Sequence, residues 1–122
     1  ISDTARDGKL RSIVGRLKEN NIKRAAQALA VRDFVKSTPF KSIVCGDFND
    51  VPLSYTYNII AKPFSDTFSK SASGFAYTYD TKYALLRIDN ILVSPSIEVV
   101  SYEVDNEVKL SDHYPVISRV KF

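Results

Sequence analysis

At 122 residues and 13.7 kDa the chain has the length of one domain and enough residues to bury a core. With 44% apolar and 25% charged residues it is a soluble globular composition, not a disordered one. A net charge of +3 and a pI near 9.0 suit a phosphate-bearing partner, yet Lys and Arg are scattered, and the densest basic stretch, residues 16–24, is broken by Glu19 and two asparagines.

Residues 1–9 are polar and aperiodic and read as a loop. Leu10, Ile13, Val14 and Leu17 recur at helical spacing, and Glu19-Asn20-Asn21 offers a break and a fresh N-cap. Residues 22–37 are rich in Ala, Lys, Arg, Leu and Gln, which predicts a second helix. Its apolar stripe of Ala28, Val31 and Val35, widened by Ala25 and Leu29, should lie on a sheet. Pro39 ends it, because the residue before a proline is driven out of helical geometry.

Ile43, Val44 and Cys45 then read as a buried strand that stops at Gly46 and presents Asp47, Asn49 and Asp50 at its exit. The lone cysteine, Cys45, cannot form an internal disulfide and is expected to be a small buried hydrophobe. Ser54 is a candidate N-cap for a short helix ending near Pro63, and the Ser-rich residues 64–74 read as a loop. Strands are expected at 75–79, 87–94, 97–104 and 114–121, the second of them apolar on both faces and therefore covered on both sides. No stretch reaches the length of a membrane span and no signal peptide is visible. Nothing in the sequence assigns a compartment. The chain opens on Ile1 and contains no Met, so it is expected to be a piece of something longer.

Three polar groups stand at strand ends: Asp47 with Asn49, then Asp89, then Asp112 with His113. Asp89 interrupts an apolar strand, and a buried carboxylate without a partner is costly. His113, the one histidine, would satisfy it and gain basicity, the orienting half of a catalytic base. No serine stands in a nucleophile-elbow context, so the nucleophile would be water. Asp47 and Asn49, two apart on an extended chain, would share one side and face that water and a phosphoryl oxygen. Each group also has a plain structural explanation. Gly-Asp-Phe-Asn is a competent turn, a single His is most often a surface or capping residue, Asp112 can cap a turn, and Asp89 can pair with Arg87 or a backbone amide.

Gly46-Asp-Phe-Asn49, Tyr77-Thr-Tyr79, Arg87-Ile-Asp89 followed by Ile91-Leu92, and Ser111-Asp-His-Tyr-Pro-Val116 resemble, in order and spacing, the endonuclease/exonuclease/phosphatase (deoxyribonuclease I-like) superfamily. The resemblance implies an α/β fold, half of a four-layer α/β sandwich, with a mixed, mostly antiparallel sheet and helices on one face. It implies a phosphoesterase dependent on Mg²⁺ or Mn²⁺, acting on nucleic acid, a phospholipid headgroup, or a sugar or inositol phosphate. His113 would be the base or electrostatic stabiliser, oriented by Asp89. Asp47 would place the water, Asn49 would stabilise the transition state, and Asp112 would contribute to the metal site.

One feature of the family is missing. Its N-terminal half carries an Asn and a Glu that hold the metal and a further His or Tyr facing the phosphate, and the one Glu before Gly46 here, Glu19, stands in a helical stretch and not in a strand. Residues 1–122 are therefore expected to be the C-terminal portion of such a domain. The upstream half, or a second chain, would cover an apolar sheet face. The alternative is a non-catalytic half-domain, inactive alone, that serves as a binding or scaffold module.

Overall fold

The computed structural model describes residues 3–71, 76–82 and 85–122, with the side chains of residues 3–6 outside the description. Helix α1 runs unbroken over Asp3–Ser37. The expected break at Glu19-Asn20-Asn21 does not occur. Asn21 turns its side-chain oxygen to the Arg24 guanidinium at 2.5 Å, so it supports the helix it was expected to cap. The first residues, expected as a loop, are helical too, and Arg11 pairs with Asp7 one turn back at 3.2 Å.

Strand β1 (Ile43–Asp47) follows, then α2 (Tyr55–Ala61), β2 (Ser65–Asp66), α3 (Thr67–Ser71), β3 (Tyr79–Asp80), β4 (Leu85–Leu86), β5 (Asp89–Val93), β6 (Glu98–Val104) and β7 (Val116–Lys121). Ser54 caps α2 as expected, its Oγ accepting the Tyr57 N–H at 3.1 Å. The Ser-rich stretch is more ordered than its composition suggests. Asp66 Oδ1 accepts the Phe68 N–H at 2.9 Å, and the Thr67 hydroxyl donates to the Ile91 carbonyl at 2.9 Å, so tertiary contacts overrule turn propensity there. Phe75, placed at the start of an expected strand, lies outside the described residues; the strand there is β3.

Every strand pairing among the described residues is antiparallel. The expected single sheet is instead three ladders: β1-β5-β2, β3-β4 and β6-β7. The ladders part at residues 87–88, where backbone groups are claimed from outside the strands. The Ile88 carbonyl accepts the Phe48 N–H at 2.8 Å, and the Ile88 N–H donates to the Thr78 hydroxyl at 3.1 Å. A bridge between Tyr79 and His113 ties the ladders together.

The core sits where α1 and α2 meet the central strand β5. Ala28, Phe48, Ile60 and Leu92 form it, flanked by Val44, Tyr57, Ile59 and Phe64. Ile88, Leu92 and Val93 are buried and Ile91 is partly so, as a strand covered on both sides requires. β1 differs from expectation. Among the described residues it is the edge strand, with only β5 beside it, and Cys45 is exposed instead of buried. Only the C-terminal half of α1 reaches the core. Leu10 and Leu17, more than half exposed at 62% and 56%, ride on turns that project beyond it. At about 100° per residue, Leu10 and Leu17 lie on the same side of α1 as buried Ala28, so the core-facing stripe continues outward with nothing on it among the described residues. No helix among the described residues is long and apolar enough to cross a membrane.

Candidate active site

Asp47 ends β1 and Asp89 begins β5, and the strand register sets them directly opposite each other. Like charges at facing positions repel, so each carboxylate needs compensation. Asp47 Oδ1 accepts the Asn49 N–H at 2.7 Å. Asp89 Oδ2 accepts the Thr78 hydroxyl at 2.7 Å and meets His113 Nδ1 at 2.8 Å. The other imidazole nitrogen, Nε2, lies 3.9 Å from Asp47 Oδ2. One ligand atom from each of Asp47, Asp89 and His113 falls within 4.8 Å of the others.

His113 is held from three directions. Its N–H donates to the Ser111 hydroxyl at 2.9 Å, its backbone bridges to Tyr79, and its ring lies 4.8 Å from the Tyr79 ring at 53°. The hydrogen bond to Asp89 raises the imidazole pKa above its ordinary 6.5. Burial opposes that rise, and the charges of Asp89, Asp47 and Asp112 reinforce it. Three carboxylates around a half-exposed imidazole give the site a strongly negative field, a natural seat for a hard cation.

Asn49 has φ of 50°, the one positive value at a non-glycine residue among the described residues. Asn tolerates this region better than most residues, and strained backbone of this kind gathers at functional turns. The value corrects one expectation: Asp47 and Asn49 do not share one side of an extended chain. β1 stops at Asp47, and the next turn folds Asn49 back so that its N–H caps the carboxylate. Asp112 is exposed and does not belong to the close cluster of Asp47, Asp89 and His113. Its carbonyl accepts the Asp80 N–H at 2.9 Å, which anchors the loop before His113.

Arg87 does not pair with Asp89. It binds Asp66 Oδ2 at 2.9 Å and Asn90 Oδ1 at 3.1 Å, with its guanidinium 4.1 Å above the Phe68 ring. The Tyr57 hydroxyl also donates to Asp66. Asp66 stands in a Ser-rich stretch with no pattern around it, so no sequence signal pointed to this buried network behind the site. Thr78 was visible only as part of an aromatic-Thr-aromatic run, without a role.

Residues 9–113 match the Endonuclease/Exonuclease/phosphatase family. The chain belongs to that family. Among solved structures it is similar to an endonuclease/exonuclease/phosphatase from Bacteroides vulgatus, at 28% identity and a TM-score of 0.69, over 80% of this chain and 43% of that one. It is also similar to a mannosyl-6-phosphatase of Bacteroides thetaiotaomicron VPI-5482, at 25% identity and a TM-score of 0.62, over 81% of this chain and 46% of that one. A protein from Enterococcus faecalis V583, 19% identical with a TM-score of 0.67 over 83% of this chain and 45% of that one, shares the fold. The chain thus spans less than half the length of these structures. No curated protein matches it.

Proposed function

We propose that this chain is the C-terminal portion of a divalent-metal-dependent phosphoesterase that hydrolyses a phosphate ester with water as nucleophile. The observation that supports this reading best is the convergence of Asp47, Asp89 and His113, with Asp89 bound to Nδ1 of the imidazole. Asp89 orients His113 and favours its protonated form, so that His113 serves as base or as a cationic partner for the scissile phosphate. Asp47, half-exposed with Oδ2 turned toward Nε2, places the attacking water. Asn49, on its strained turn, offers its side-chain amide to charge developing on the phosphoryl group.

The donor set suits Mg²⁺ or Mn²⁺: exposed carboxylates of Asp47 and Asp112 are hard oxygen ligands, and no soft ligand stands among them. Asp112 would be the principal ligand from this chain, because both oxygens of Asp47 and Asp89 Oδ2 already have neighbours. A bound ion would neutralise charge on the phosphoryl oxygens. The substrate class is a phosphate ester: nucleic acid, phospholipid headgroup, or sugar or inositol phosphate. The likeness to a mannosyl-6-phosphatase makes a sugar phosphate the first to test.

A second reading applies to these 122 residues by themselves. Their exposed stripe at Leu10 and Leu17, and their span of less than half the matched structures, favour a half-domain that needs further chain or a second protein over its apolar face. Alone it would be inactive, a binding or scaffold module.

Phosphate release from mannose 6-phosphate and from an aryl phosphodiester, with and without Mg²⁺, tests both readings. The first expects metal-dependent turnover that His113→Ala abolishes, in this chain or in a longer protein that contains it. Turnover indifferent to both the metal and His113→Ala would sink it. The second expects no turnover from the 122 residues alone, and metal-dependent turnover by them alone would overturn it.

A further inference from the structure

Thr78 is fully buried, and among the described residues its hydroxyl has three hydrogen-bond partners. A threonine Oγ carries one hydrogen and two lone pairs. The backbone N–H groups of Ile88 and Asp89, which can only donate, take the lone pairs at 3.1 Å each. The hydroxyl hydrogen is then left for Asp89 Oδ2, at 2.7 Å. Nothing about this hydroxyl is free to rotate. Its own backbone is clamped as well: the Thr78 N–H donates to the Leu86 carbonyl at 2.9 Å, and its carbonyl accepts the Tyr114 N–H at 2.8 Å.

Asp89 Oδ2 therefore accepts from Thr78, and its second neighbour is His113 Nδ1 at 2.8 Å. A proton shared between a carboxylate and an imidazole resides on the imidazole, whose ordinary pKa is the higher by over two units. Nδ1 must then carry the hydrogen. When neutral, the ring has its lone pair on Nε2, the nitrogen that faces Asp47. A free histidine side chain in water favours the opposite tautomer, with the hydrogen on Nε2. The protein has to select the rarer form.

We propose that Thr78 is the positioning residue that makes this selection, acting through Asp89 with the Ile88 and Asp89 amides as its anchor. Among the described residues the Thr78 hydroxyl is bonded to Asp89 Oδ2 and to the two amides, and not to the imidazole. It fixes which way the Asp89 carboxylate presents Oδ2, and Oδ2 fixes the imidazole. The catalytic consequence rests on the phosphoesterase reading above, because only a base at Nε2 needs this tautomer. The tautomer itself does not depend on that reading.

The chain contains one histidine, so a histidine-labelled sample gives one pair of ring nitrogens and no assignment problem. Long-range proton–nitrogen spectra, recorded at a pH where the ring is neutral, are expected to show a protonated Nδ1 and a bare Nε2 in the wild-type protein. Thr78→Ser, which keeps the hydroxyl, is expected to give the same spectrum. Thr78→Val keeps the shape and removes the hydroxyl, and its Nε2–H population should rise several-fold. A wild-type ring protonated at Nε2 overturns the proposal, as does a folded Thr78→Val protein whose tautomer is unchanged. Should Thr78→Val not fold, because two buried N–H groups lose their acceptor, the wild-type and Thr78→Ser spectra decide. Where hydrolysis is measurable, Thr78→Val should lower kcat about tenfold with KM unchanged, as expected for loss of a group acting only on the chemical step, and Thr78→Ser should restore it. The expected spectra, with no phosphate ester hydrolysed even by a longer protein that contains this chain, would retire the phosphoesterase reading and leave the role of Thr78 standing.

Discussion

Replacing Asp66 should destabilise the protein more than replacing Asp66 and Arg87 together. Asp66 is 8% exposed and accepts from the Arg87 guanidinium, the Tyr57 hydroxyl and the Phe68 N–H. The Arg87 side chain is only 12% exposed. Removing one partner of such a pair strands a buried charge, at a cost of about 3–5 kcal/mol. Here Asn90 Oδ1 and the Phe68 ring stay on Arg87 and offset about 1 kcal/mol, so Asp66→Leu should cost about 3 kcal/mol. In Asp66→Leu/Arg87→Met the charge is gone and two apolar side chains fill the space. The remaining loss is the N-cap on Phe68 and the acceptor for Tyr57, about 1–2 kcal/mol. Urea unfolding followed by circular dichroism reads this directly. With a slope of about 2 kcal/mol per molar, Asp66→Leu should move the midpoint down by about 1.5 M and the double variant by less than 1 M. A double variant as unstable as the sum of the two single variants would refute the buried-pair account.

Three further outcomes follow from the geometry. Asp89→Asn should leave the unfolding free energy within about 1 kcal/mol of wild type while lowering kcat about 10³-fold or more, because an amide can present a donor to Nδ1 and favour the wrong tautomer; full activity would remove the dyad from the mechanism. Burial, aided by the hydrogen bond to Asp66 and its charge and opposed by Arg87, pushes the Tyr57 hydroxyl up to about 12 from an ordinary value of 10. The folded-state value is the raised one, so the stabilisation is intact below pH 10 and lost as pH climbs from there through about 12; unfolding midpoints of wild type and Tyr57→Phe should converge across that window. Leu10→Gln/Leu17→Gln should change the stability of the isolated chain by under about 0.5 kcal/mol, since both side chains are already in water, yet weaken association with any partner covering that face, measurable by sedimentation.

The parts of the fold that were legible in the sequence are those with local causes. Ser54 before an apolar run marks α2, Pro39 marks the end of α1, and the two-sided apolar pattern at residues 88–93 marks a central strand. The pairing of Asp89 with His113 was legible because a carboxylate inside an apolar strand has few alternatives. What stayed hidden depends on neighbours far along the chain. Cys45 looked buried because apolar strands usually are, but β1 lies at a sheet edge, and edge position is a property of topology. The break at Asn20-Asn21 looked real because Asn often caps, until Arg24 claimed its side chain. Asp66 gave no signal at all; its importance comes from Arg87, 21 residues away. The bend that puts Asn49 at a positive φ also cannot be read from an alternating pattern.

The open flank of β1 carries a hazard as well as a site. Its outer N–H and C=O groups have no strand beside them among the described residues, and Ile43 and Cys45 on it face solvent. Such an edge recruits any compatible strand, including the same segment of another copy. Lys41, two residues ahead of β1, and Asp47 at its end are the charges placed to act as gatekeepers against that. During synthesis β1 is made before β5, so until β5 arrives to hold its inner side both flanks of β1 are open to a strand of another chain.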